Sequence, residues 1–122
     1  MSQKTFATAL SVRALKKLQS KKMTSVWGPS SWKTLHCFCL GTAPRDSKLA
    51  FIHAMVAALP CEECRVESQA YLAAHPPQGD LFEWSVEFHN SVNRRLGKCP
   101  ISLEKADRCT RSPGDTNIMW PV

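Results

Sequence analysis

The sequence predicts an all-α fold, a four-helix bundle with a short fifth helix. Three observations carry that expectation. Apolar residues recur at helical spacing in four successive segments, short loops containing Pro or Gly join those segments, and no strand-period alternation of useful length occurs. With 122 residues the chain is one domain, able to bury roughly two-thirds of the surface its unfolded form would expose.

Residues 4–23 place Phe6, Leu10, Ala14 and Leu18 at i, i+4 spacing, which predicts an amphipathic helix or arm, and Thr24-Ser25-Val26-Trp27-Gly28 is read as breaking it. Pro29 suits the first turn of a helix running to Leu40, with Trp32, Leu35, His36 and Cys39 on one side. Asp46 or Ser47 can cap the next helix, whose stripe is Leu49, Ile52, His53, Val56 and Leu59. Pro60 stops that helix and opens a third, with Cys61 in its first turn and Val66, Ala70 and Ala73 on the inner face. His75-Pro76-Pro77-Gln78-Gly79 is a turn cluster. Asp80 caps a fourth helix striped by Leu81, Trp84, Phe88, Val92 and Leu96, and Gly97 stops it. Ile101 to Arg111 forms a short last helix capped by Ser102, before a turn and a tail bearing Trp120.

Charge is unevenly spread. The net +6 is concentrated at the start, where Lys4, Arg13, Lys16, Lys17, Lys21 and Lys22 precede the first acid, Asp46. Such an arm suits an anionic partner, a mitochondrial import sequence, or merely a solvated terminus. No apolar run approaches the ~18 residues that cross a bilayer, so no membrane span is expected. Six cysteines without a secretory signal point to thiol chemistry or metal.

The chemistry centres on Pro60-Cys61-Glu62-Glu63-Cys64. A Cys-x-x-Cys pair can form an easily exchanged disulfide or supply half of a metal site. At a helix start Cys61 feels the positive end of the dipole, while Cys64 lies a turn deeper, where it can face the interior. A zinc site would need two more ligands from Cys99, Cys109, His36, His53, His75 and His89, which are scattered. A thioredoxin-like reading fails because a helical stripe, not a strand, precedes the pair.

A dithiol that makes disulfides needs an electron acceptor, and the five glycines nowhere form a dinucleotide-binding fingerprint. A bundle can still enclose a flat aromatic ligand, with Trp27, Trp32, Trp84, His36 and His89 as walls and Arg94, Arg95 and Lys98 against a diphosphate. Cys37 and Cys39, two apart in a helix, point away from each other and read as small buried hydrophobes. Cys99 and Cys109 could close a short loop.

Three motifs carry a resemblance: Trp27-Gly28-x-x-x-Trp32-x-x-Leu35-His36, then Pro60-Cys61-x-x-Cys64, then His89-Asn90-x-Val92-Asn93-x-Arg95-Leu96-Gly97-Lys98. Their order and spacing resemble the Erv/ALR-type FAD-linked sulfhydryl oxidases, in particular the minimal members of large DNA viruses. The resemblance implies FAD at the mouth of the bundle and, usually, a homodimer. It makes Cys61 the outer cysteine met by the substrate thiolate and Cys64 the one nearest the flavin. Trp27, Gly28, Trp32, His36, His89, Asn90, Val92, Asn93, Arg95 and Lys98 become the cofactor-binding positions, with no metal.

The implied partners are protein dithiols, or a small dithiol relay protein, and O2. The implied location is host cytoplasm or virion, with the mitochondrial intermembrane space as the alternative that the basic arm permits. The oxidase domain is expected over residues 25–111, between the arm (1–24) and the tail (112–122). The rival from another class is a zinc-stabilised basic module that binds nucleic acid.

Overall fold

The computed structural model describes residues 24–113. The expected helix over residues 4–23 and the tail with Trp120 lie outside them. Among the described residues the fold is all-helical, with five helices and no strand: α1 (24–40), α2 (Arg45–Ala57), α3 (Glu62–Ala74), α4 (Leu81–Arg95) and α5 (Leu103–Arg111).

The expected break over residues 24–28 is absent, and α1 is helical there. Gly and Pro disfavour helix locally, but Gly28 and Pro29 are both buried in the fold, and tertiary packing overrides propensity. Lys48 of α2 reaches back to the far end of α1, donating to the carbonyls of Cys39 (3.0 Å) and Gly41 (2.6 Å). Neither Asp46 nor Ser47 caps α2. Pro44 occupies the cap position without a side-chain bond, and Asp46 sits in the first turn, where its charge complements the dipole. Ile52 and Val56 are buried as expected, whereas His53 is exposed and Leu59 lies past the helix end.

α3 presents a different face from the one its apolar stripe suggests. Ser68 and Leu72 are buried, Tyr71 is half-buried, and Val66, Ala70 and Ala73 are exposed. Leu72 and Tyr71 remove more apolar area from water than two alanines can, so the larger residues set the rotation.

α4 is the centre of the molecule. Leu81, Phe82, Trp84, Ser85, Val86, Phe88, His89, Asn90 and Asn93 are all buried, so it contacts neighbours on nearly every side. Asp80 caps it, its Oδ1 accepting from Glu83 N at 2.9 Å. It ends as the sequence suggests: Gly97 has φ +74°, Gly97 N donates to Arg94 O (3.1 Å), and Lys98 N donates to Asn93 O (2.7 Å).

Two devices dock α5. The buried Asn90 side chain grips the backbone of Ile101, its Nδ2 donating to the carbonyl (2.8 Å) and its Oδ1 accepting from the N–H (2.9 Å). From α1, Lys33 Nζ donates to the carbonyls of Cys109 (2.7 Å) and Ser112 (2.9 Å), a cation at a helix C-terminus. Ser102 caps α5 as expected, and Ala106 and Thr110 face inward.

Candidate active site: a dithiol beside a buried histidine pair

The Cys-x-x-Cys pair stands at the start of α3. Cys61 is the N-cap itself, one position before the expected first turn, and its Sγ accepts from Cys64 N at 3.2 Å. Arg65 Nη1 donates to Leu59 O and straps the Leu59–Pro60 approach to the helix. Residue exposure runs against the expected order: Cys61 is 9% exposed, while Cys64 is half-buried. In the cap position the Cys61 Sγ folds back over the first turn onto the Cys64 amide. Burial pushes the Cys64 thiol up to about 12, helped by the adjoining Cys61 sulfur and by Glu63, and opposed by the Arg95 guanidinium. A proton therefore stays on Cys64 at neutral pH.

Arg95 comes from the end of α4 and pairs with Glu67 of α3 at 3.2 Å, holding the two helices together beside the thiols. Arg94 points elsewhere and pairs with Glu87 in solvent. Lys98, just beyond the α4 stop, is half-buried, and its ammonium is disfavoured by that burial.

The second part of the site lies between α1 and α4. His36 and His89 are fully buried, with His36 Nε2 3.0 Å from His89 Nδ1 and His36 Nδ1 2.8 Å from Ser85 Oγ. Trp32 lies flat on His89, centroids 3.9 Å apart and planes 5° from parallel, and touches Phe88 edge-on. Loss of water lowers both imidazoles, His36 to about 3 with help from Lys33, and His89 to about 2 with help from His36 and Lys98. Both rings are neutral at physiological pH.

The expected site residues thus divide. Trp32, His36 and His89 come together as one aromatic layer, and Cys61, Cys64 and Arg95 as another group. Gly28 is buried in the wall of α1. Trp27 carries a buried indole N–H that has no hydrogen-bond partner among the described residues, a donor that a bound polar group would satisfy. Val92 and Arg95 line a groove of about 300 Å³ between α3 and α4, with Ser68, Tyr71, His75 and Phe88. Asn90 is engaged with Ile101, and Asn93 Nδ2 lies 3.5 Å from Asn90 Oδ1. Trp84, on the expected apolar stripe of α4, is a core residue whose Nε1 donates to His75 O at 2.9 Å. Sequence reasoning missed Ser85, Lys33, Arg65 and Tyr71. Only Tyr71, an aromatic on a helix with few large apolar residues, left a visible signal.

All six cysteines are free thiols, so Cys99, exposed, and Cys109, half-buried, are not bridged here. Cys39 is buried, and desolvation raises its thiol to about 11. Among the described residues no three His, Cys, Asp or Glu side chains converge as a metal site, which leaves the zinc reading unsupported.

A Cys-x-x-Cys pair at a helix start in an all-helical fold is an arrangement suited to a small helical thiol oxidoreductase. The sequence model of the Erv1 / Alr family matches residues 29–111, and the chain belongs to that family. It is similar to an FAD-linked sulfhydryl oxidase of African swine fever virus (isolate Tick/Malawi), 34% identical over 62% of this chain and 72% of the relative. A putative FAD-linked sulfhydryl oxidase of Invertebrate iridescent virus 6 is 33% identical over 68% of this chain and 89% of its own length. A probable one from Acanthamoeba polyphaga mimivirus is 27% identical over 66% and 65%. No solved structure matches at comparable stringency.

Proposed function

We propose that this protein is an FAD-dependent thiol oxidase that forms disulfides in protein substrates. One observation carries the reading: the family-matched region places Cys61 Sγ on the Cys64 amide at the start of α3, with Arg95 of α4 beside the pair. In the oxidised state these sulfurs form one disulfide. A substrate thiolate attacks Cys61 Sγ, the Cys61–Cys64 bond breaks, and a mixed disulfide forms. The second substrate thiol then displaces Cys61, so the substrate leaves oxidised by two electrons and the pair is left as a dithiol. Cys64 is the leaving sulfur in the first step. Its surroundings disfavour thiolate, so a proton must arrive at Sγ as the bond breaks, or its charge must be drawn off by a group bound beside it.

Bound FAD supplies the two-electron acceptor that O2 reoxidises, with hydrogen peroxide as product. The residues present fit such a group. Trp27 offers its unpaired N–H, the Trp32–His89 layer offers an aromatic surface, and Lys98 and Arg95 offer positive charge to a diphosphate. Gly28, His36, Asn90, Val92 and Asn93 complete the proposed cofactor shell at the bundle mouth, Asn90 acting through the loop it grips. The dithiol partners are substrate proteins or a small relay protein, and the working form is a homodimer. Viral relatives favour action in host cytoplasm or virion. No helix among the described residues is long and apolar enough to cross a membrane.

The test is a visible spectrum with oxygen uptake. The purified protein should be yellow and consume O2 when given a dithiol. Cys64→Ser should keep the flavin absorbance and lose dithiol-driven uptake. A folded, colourless protein that FAD does not restore rejects the reading, and turnover retained in Cys64→Ser rejects the role of Cys64.

A further inference from the structure

We propose that Ser85 is a positioning residue of the cofactor site, whose hydroxyl locks His36 and His89 into the Nδ1–H form and gives the buried pair a single hydrogen-bonding polarity. Its functional consequence rests on the flavin-dependent reading above; its geometry does not.

Ser85 lies one turn before His89 on α4, is fully buried, and faces His36 across the α1–α4 interface. Its Oγ is 2.7 Å from the carbonyl of Phe82. A carbonyl only accepts, and two oxygens at that distance without a proton between them repel, so the hydroxyl hydrogen lies on this line. What remains on Oγ is acceptor capacity alone. His36 Nδ1, 2.8 Å away, must therefore be the donor. A neutral imidazole has one N–H, so His36 Nε2 carries a lone pair, and His89 Nδ1 at 3.0 Å must donate to it. The same rule leaves His89 Nε2 as an acceptor. Any group that meets that edge has to bring a hydrogen.

One further observation supports the direction. Burial holds both rings far below their ordinary range, so the one-proton rule applies to each. Ser85 then donates once, to Phe82 O, and accepts once, from His36 Nδ1. Because Trp32 lies flat on His89, the orientation fixed at Ser85 is passed to the aromatic layer on which the cofactor site depends.

Imidazole ¹⁵N shifts of the FAD-loaded protein at neutral pH test this. The wild type should show protonated Nδ1 and bare Nε2 in both His36 and His89. Ser85→Ala should populate the Nε2–H form of His36 and weaken FAD binding about tenfold, the value of one net hydrogen bond, and Ser85→Thr should restore both. An Nε2–H tautomer in either wild-type ring overturns the proposal. So does Ser85→Ala with unchanged tautomers, or with changed tautomers and unchanged FAD affinity. If Ser85→Ala does not fold, the wild-type spectrum alone decides. If the wild type binds no FAD, the flavin reading fails, while spectra of the apoprotein still decide the tautomers.

Discussion

Cys64, His36 and His89 all have their proton equilibria moved by the same cause, loss of water, yet in opposite directions. The thiol is kept protonated and the imidazoles are kept bare. The histidines set an acid limit on stability. Their folded values, about 3 and about 2, lie below the ordinary value of 6.5, so the unfolded chain takes up protons first as pH falls. Their contribution is complete above about pH 6.5 and is lost progressively as pH falls toward the folded values. Urea unfolding midpoints should therefore drop between about pH 6.5 and 5, a window above most carboxylate titration, and His36→Gln should flatten that drop. An unchanged slope would place the buried pair's pKa values near normal. His36 and His89 were legible in the sequence as motif residues. Their mutual contact and their dependence on Ser85 were not, because both follow from how α1 and α4 are rotated against each other. A one-dimensional pattern does not encode that angle.

At the scale of the element, capping chemistry was the most readable feature. Asp80, Ser102 and Gly97 all act as their residue types suggest. Faces were less readable where large and small residues competed. On α3 the stripe of Val66, Ala70 and Ala73 has the right period, but Leu72 and Tyr71 claim the interior. Helix over residues 24–28 was obscured because Gly28 reads as a break and Pro29 as a first turn, and burial overrides both signals. The loop from α4 to α5 rests on one side chain. Asn90→Ala would leave the buried N–H and carbonyl of Ile101 without their partner, costing about 1–3 kcal/mol. Chemical denaturation should register that loss, and amide exchange should rise first around residues 98–102. Full protection there would show that α5 is held by its apolar contacts instead.

For the whole molecule, every interaction described above is made within residues 24–113. Deleting residues 1–22 should leave the flavin spectrum and turnover with a small dithiol unchanged. Loss of flavin on truncation would make the basic arm part of the cofactor site. Global architecture was legible because four strong periodic segments and short loops admit few alternatives. The division of the site into a thiol group and an aromatic layer was not, since it depends on contacts between α1 and α4, whose facing residues His36 and Ser85 are 49 positions apart.

Lys33 has a topological consequence. Its ammonium, with the Cys37 sulfur one turn on and 3.7 Å from Thr110 O, ties the middle of the first described helix to the end of the last. The described chain therefore runs nearly in a ring. Residue 24 is only about 14 Å of helix from Lys33, at 1.5 Å per residue, so a short flexible linker can join residue 113 to residue 24. A circular permutant opened at the largely exposed Pro76–Gly79 turn should fold and bind FAD with an affinity close to that of the parent, as measured by flavin fluorescence quenching. In such a permutant the order in which the helices leave the ribosome changes and the site does not, which separates what the bundle needs in space from what it needs in sequence.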